Sequence, residues 1–199
     1  MSSEITLYSF VNRDRSCRPR WLLHELGLEF KESRIDPRAA EQKGEAYLKI
    51  NPYGFVPGLV IDGKAMGESG AICLYLADRF ADGSLAPKAD DPLRADYLQW
   101  SFFGSCTLDE AFLPLVQPGR TPQDDLIQNR LGMLGALAQR VSRTPYVLGD
   151  SFTTADLLLA QPLACAAGKN LLGDQPHIQA YLGRLAERPA AQAAEFFAR

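Results

Sequence analysis

The spacing of apolar and polar residues changes character along the chain. Ile5-Thr6-Leu7-Tyr8-Ser9-Phe10 alternates with the two-residue period of a half-buried strand. Trp21, Leu22, Leu23 and Leu26 fall on a helical stretch that stops near Gly27, and Phe30 to Ile35 predicts a second strand. Such a strand-helix-strand unit requires a right-handed crossover and parallel strands. A loose segment from Arg38 to Gly44 and a short helix around Ala46-Tyr47-Leu48 follow. The run Gly58-Leu59-Val60-Ile61 and the stretch Lys64 to Met66 then flank Asp62-Gly63, a two-residue hairpin signal, and a helix is predicted from Ala71 to Phe80. Residues 81–92, with Gly83, Pro87, Asp90 and Asp91, are polar and broken and read as a linker. From Leu93 onward strand signals vanish. Helical patterns run over about Arg94 to Val116, Gln123 to Val141, Thr154 to Ala167 and Pro176 to Arg188. Thr153 and Asp156 have the spacing of a reciprocal helix cap, with Phe152 placed to staple onto Leu157. The pattern predicts an α/β domain over residues 1–80, the linker, and an all-helical domain over residues 93–199.

Candidate chemistry concentrates between Asn51 and Ala71. Asn51-Pro52-Tyr53-Gly54 is a turn signal that delivers the chain to Val56-Pro57. The residue before a proline is held extended and proline donates nothing to a ladder, so Val56 keeps main-chain groups for an incoming extended peptide, as in strand addition. Glu68-Ser69 stands where the next helix begins. Ser69 is a cap candidate, and the free N–H groups of a helix start favour a carboxylate. A peptide-pairing edge beside a carboxylate-receiving helix start suggests a small peptide with an amino-acid end.

Composition narrows the classes. At 199 residues and 46% hydrophobic, the chain can bury a substantial core in one or two domains. A net charge of −3 without a basic block gives no nucleic-acid surface. No apolar run reaches membrane-spanning length and the N-terminus lacks the order of a signal peptide, so a cytoplasmic location is expected. Cys17, Cys73, Cys106 and Cys165 lie far apart, with only His24 and His177 as further soft ligands; this argues for reduced, mostly buried thiols and against a zinc site or disulfide framework.

Asn-Pro-x-Gly-x-Val-Pro followed by Glu-Ser ahead of an apolar helix resembles the glutathione-binding half of the cytosolic glutathione transferases, bacterial members among them. The resemblance covers nearly the whole chain, and implies a thioredoxin-like N-terminal domain followed by an all-α helical bundle. It implies a cis Val56-Pro57 bond that lets Val56 hydrogen-bond the cysteinyl backbone of glutathione, with Glu68 and Ser69 holding the γ-glutamyl end and Lys43 near the glycine end. Tyr97, Trp100 and Phe103, with Phe112, would line a pocket for the second substrate. The implied activity is conjugation of glutathione to a small apolar electrophile, as in detoxification, by a homodimer that uses no metal and no cofactor beyond glutathione as co-substrate.

Such an enzyme must ionise a thiol. With a pKa near 8.5 a free thiol is only a few per cent thiolate at neutral pH, and lowering that value by about two units takes roughly 2.7 kcal/mol of preferential interaction with the anion. Ligands bind at the carboxyl ends of strands in open α/β sheets, which here means Tyr8 to Arg18. Matching the run Arg13-x-Arg15 and Arg20-Trp21-Leu22-Leu23 to the tyrosine-type enzymes puts Ser9 at the tyrosine position, while alternation sends Tyr8 to the other face. Matching Arg15-Ser16-Cys17-Arg18 to the serine- and cysteine-type enzymes puts Asp14 at the activating position, where a carboxylate would repel a thiolate. The donors rank as Ser16, Ser9, then the Asn12 amide. Cys17, between Arg15 and Arg18 at a helix start, opens an alternative, a glutathione-dependent thiol oxidoreductase. A second alternative, which Asp14 favours, is a non-catalytic glutathione-binding or interaction module of the same fold.

Overall fold

A computed structural model describes residues 3–10, 14–112 and 132–197. The chain divides into two units, Met1–Asp82 with Pro189–Arg199, and Gly83–Arg188.

The first unit is built on a four-stranded sheet of order β2-β1-β3-β4. Strands β1 (Ile5–Ser9) and β2 (Lys31–Arg34) run parallel, as the intervening helix α1 (Cys17–Glu25) requires. Strand β3 (Gly58–Ile61) pairs antiparallel with β1, setting Tyr8 opposite Gly58, and with β4 (Lys64–Met66). Asp62 and Gly63 both take positive φ, 49° and 78°, the conformation a two-residue hairpin demands. Strand β1 stops at Ser9, one residue short of the sequence reading, because the Phe10 N–H turns away to Asp14. Helix α1 ends at Gly27 (φ 62°), where the Leu28 N–H reaches the Leu23 carbonyl at 3.0 Å and closes the last turn.

Alternation decides the two faces of the sheet. Ile5, Leu7, Leu59 and Ile61 are buried together with Trp21, Leu22 and Leu23 of α1 and Ile72, Cys73, Leu76 and Ala77 of α3 (Ser69–Phe80). Tyr8, on the opposite face, meets Tyr47 of the short helix α2 (Glu45–Leu48), ring centroids 5.7 Å apart.

The second unit is helical: α4 (Arg94–Phe102), a wider i→i+5 turn (Phe103–Leu108), α5 (Asp109–Phe112), α6 (Leu134–Val141), α7 (Thr154–Ala167) and α8 (Pro176–Ala186). The expected stretch to Val116 and the beginning of the next helix at Gln123 lie outside the described residues. A side chain at Gly104 would lie 2.8 Å from the Leu158 and Leu159 backbone, so only glycine lets the wider turn meet α7. The reciprocal cap on α7 is present. Asp156, fully buried, accepts from the Thr153 N–H (2.8 Å), the Thr153 hydroxyl (3.0 Å), the Val147 N–H (2.9 Å) and the Tyr181 hydroxyl (2.8 Å). Burial pushes the Asp156 carboxyl up from its ordinary value, against these four donors.

Two boundaries differ from the sequence reading. The segment from Gly83 is anchored on the helical unit, with the Thr154 N–H on the Leu85 carbonyl (2.8 Å) and Arg94 on the Pro87 carbonyl (2.8 Å). The last residues, read as part of the helical domain, return to the first unit. After α9 (Pro189–Ala193) the rings of Phe196 and Phe197 pack on Trp21 at 4.6 and 5.9 Å. Apolar area favours this return: the two rings cover Trp21 on α1, which is completely buried. Among the described residues no helix is long and apolar enough to cross a membrane.

Candidate functional site

The turn before Val56 is organised by Asn51. This buried amide donates to the Phe55 carbonyl at 2.8 Å and accepts the Tyr53 N–H at 3.2 Å. The Tyr47 hydroxyl donates to the same Phe55 carbonyl at 2.7 Å; burial pushes that phenol up to about 12, with the nearby Asp14 and Tyr8 adding to the rise, so it is a neutral donor at all physiological pH. Gly54 (φ 64°) closes the turn with its N–H on the Asn51 carbonyl at 2.9 Å, and a Cβ there would lie 2.8 Å from the Gln42 carbonyl. Val56-Pro57 is cis, and Val56 lies beyond the β1–β3 ladder, which ends at Tyr8 and Gly58. Val56 is half-buried and Pro57 buried. Lys43 reaches this ledge from the side, its Nζ 3.3 Å from the Tyr53 carbonyl and 4.9 Å from the centre of the Phe55 ring. Its charge therefore stands at the outer end of the ledge.

At the other end is the start of α3. Glu68 precedes the helix in a positive-φ conformation (φ 65°, ψ 106°), exposed, with no side-chain cap bond. Ser69, the cap candidate, is instead the first helical residue; its buried hydroxyl accepts from Arg18 Nη1 at 3.1 Å. Arg18 is itself fully buried on α1, so a cation sits behind the open N–H groups of the helix start. The helix start thus sets one carboxylate, Glu68, beside N–H groups that favour an anion.

The end of β1 is more tightly wired than the sequence suggests. Ser9 is fully buried and donates to Glu32 Oε1 at 2.6 Å; the same oxygen is taken by Arg20, through Nε at 3.1 Å and through Nη2. Burial works against the Glu32 charge, but the Arg20 and Ser9 bonds and the positive charges of Arg20 and Arg34 outweigh it and hold the carboxyl below its usual range. Ser16 is also fully buried. It precedes α1 without capping it, and its hydroxyl donates to the Tyr8 carbonyl at 3.3 Å. The Asp14 carboxylate accepts the Phe10 N–H and the Ser16 N–H, each at 2.6 Å, so its charge is engaged by the backbone of its own turn. Asn12 and Arg13 lie outside the described residues.

Two family models match this chain: the glutathione S-transferase N-terminal domain over residues 3–78 and its C-terminal domain over residues 103–189. The chain belongs to the glutathione S-transferase family. Glutathione S-transferase GstA of Escherichia coli O157:H7 is 32% identical over 177 residues, 85% of this chain and 87% of that protein. Protein LigF of Sphingobium sp. (strain NBRC 103272 / SYK-6) is 41% identical over 98 residues, and that match spans 49% of this chain and only 38% of LigF. Among solved structures, the bacterial glutathione S-transferase BphK, determined as a ternary complex, superposes with a TM-score of 0.83 at 34% identity, covering 95% of this chain and 96% of the other.

In this chain Cys17 is buried at 2% exposure, and Cys73 is buried with its thiol pushed well up by burial. Cys106 and Cys165 are exposed, against the expectation of mostly buried thiols; all four are free. Within the helical unit Tyr97 is fully buried, with the Arg94 guanidinium 5.2 Å above its ring, and so belongs to the core rather than to a substrate-facing wall. Trp100 and Phe103 are half-exposed and meet edge-to-face at 5.6 Å. Sequence reasoning passed over Tyr47 and read Asn51 only as part of a turn. It took Arg18 as positive charge beside Cys17 but gave no sign of its bond to Ser69, which joins helices 51 positions apart.

Proposed function

We propose that this chain binds glutathione along Val56 and the start of α3 and conjugates it to a small apolar electrophile. One observation carries the reading: a ledge held rigidly by Asn51 and Tyr47 leads to a helix start that offers a carboxylate, Glu68, beside open N–H groups backed by Arg18. In this reading the peptide backbone pairs with Val56, with Pro57 fixing its direction. The γ-glutamyl ammonium meets Glu68, its carboxylate meets Ser69, and the glycine carboxylate lies toward Lys43. The thiol loses its proton to water; the thiolate pair forms the carbon–sulfur bond while a leaving group departs with its own electron pair.

Calorimetric titration with glutathione, alongside the initial rate with an activated aryl chloride, tests the proposal. Wild type binds and turns over. Glu68→Ala weakens binding by about 10- to 100-fold, the loss of one charge-assisted contact. Turnover without any loss of affinity in Glu68→Ala would remove Glu68 from the site. Binding without turnover would leave the non-catalytic module, and no binding would end the glutathione reading. A homodimer is part of the proposal, checked by sedimentation equilibrium.

A further inference from the structure

We propose that Arg18 of α1 is a positioning residue that makes the start of α3 select a carboxylate over a neutral group, an assignment that rests on the glutathione-binding reading above. It does so by turning the proton of the Ser69 hydroxyl away from the fold. The serines of the helical unit show where such protons ordinarily go. Ser101 in α4 donates to the Tyr97 carbonyl at 2.7 Å, and Ser105 in the wider turn donates to the Ser101 carbonyl at 2.8 Å, each four positions back. Ser69 has no such outlet. It is the first residue of α3, and Ala65, four positions back, lies in β4. Ser69 is only 5% exposed, and among the described residues its hydroxyl has one hydrogen-bond partner, Arg18 Nη1 at 3.1 Å.

The direction of the Arg18 bond decides what that hydroxyl can still do. A guanidinium carries only donors and stays charged at every physiological pH, so Arg18 always gives and Ser69 always receives. Ser69 keeps its own proton, which no described residue accepts. Beside it the N–H groups of Ser69, Gly70 and Ala71 have no acceptor within the helix, the first bond of α3 being from the Ile72 N–H to the Glu68 carbonyl at 2.9 Å. Glu68 does not take the place of that acceptor, since its side chain makes no cap bond. A hydroxyl proton and several N–H groups call for a group with many lone pairs and no protons of its own, which describes a carboxylate. A carboxamide in the same place would set its NH2 against these donors. The fully buried Arg18 charge adds to the discrimination, because it favours an anion through the bond it makes to Ser69. Without Arg18 the hydroxyl is free to rotate, to donate or to accept, and a neutral group becomes tolerable.

The test is calorimetric binding of two ligands, glutathione and its α-amide, in which the free carboxylate of the γ-glutamyl residue is a carboxamide. The proteins are wild type, Arg18→Met, Arg18→Lys, Ser69→Ala and the double variant Arg18→Met/Ser69→Ala, with far-ultraviolet dichroism checking each fold. Wild type is expected to prefer glutathione by about 30-fold or more, the worth of charge-assisted contacts that the amide cannot make. Arg18→Met and Ser69→Ala each cut the preference to about fivefold or less, and the double variant cuts it little further, because both act through one hydroxyl. Arg18→Lys, which keeps a charge and a donor, retains more of the preference than Arg18→Met. A purely structural Arg18 would weaken both ligands alike, so an Arg18→Met protein with the wild-type preference overturns the assignment. Full additivity in the double variant overturns it too. Should Arg18→Met fail to fold, Ser69→Ala decides, and an undiminished preference there is the overturning result. Wild type that binds both ligands equally overturns the selectivity while the binding reading stands; wild type that binds neither overturns the binding reading itself.

Discussion

Glu68 bears backbone strain at the position proposed to hold the γ-glutamyl end. A non-glycine residue at φ 65° and ψ 106° costs on the order of 1–3 kcal/mol, and such outliers gather at ligand clamps. Glu68→Gly should therefore hold or raise the melting temperature while losing glutathione affinity, measured by calorimetry on one preparation; a variant that loses stability instead would show that the residue is not strained. Asn51 predicts the opposite coupling. Its amide satisfies a buried carbonyl and an N–H, so Asn51→Ala should cost about 2–3 kcal/mol in denaturant unfolding and weaken binding together. Glu32 supplies the pH dependence. Its folded-state pKa is depressed, so the stability it gives is present above the ordinary carboxylate value of about 4.3 and is lost as pH falls through the lower, folded value. Glu32→Gln should flatten the acid limb of the stability curve, and an unaltered acid limb would dismiss the Ser9–Glu32–Arg20 network as its source. None of this network was legible in the sequence: it needs parallel pairing to bring residues 12 and 23 positions apart onto one oxygen.

Elements were legible where their chemistry is local. The β3–β4 hairpin falls on the residues expected because Asp62-Gly63 alone dictates the turn. The α7 cap falls at Thr153 because its partner Asp156 is three residues on. Strand ends were less legible, since Asp14 draws the Phe10 N–H out of the ladder, and the wider turn in Phe103–Leu108 has no sequence signature. The cap extends beyond its helix. Asp156 also gathers Val147 and Tyr181, so Asp156→Ala would strand several buried donors and should destabilise by about 3 kcal/mol or more, well beyond the ~1 kcal/mol of an ordinary cap. A loss near 1 kcal/mol in urea unfolding would mean that these donors find other partners.

At the scale of the molecule, the order of an α/β unit and a helical unit was readable from the change of apolar period, and family membership from Asn51 to Ser69. The return of the C-terminus was not, because an apolar Phe196-Phe197 pair does not say which surface it covers. Truncation after Arg188 should uncover Trp21, red-shift its emission and lower stability by a few kcal/mol; unchanged emission would contradict that packing. The claim on which the account rests is that glutathione lies along Val56 and the first turn of α3. Amide proton–nitrogen spectra recorded during titration with S-methylglutathione test it most directly. The account predicts the largest shifts at Val56, Ser69, Gly70 and Ala71, with the amides of His177 to Ala186 unmoved; binding that leaves those four amides in place and shifts others would contradict it.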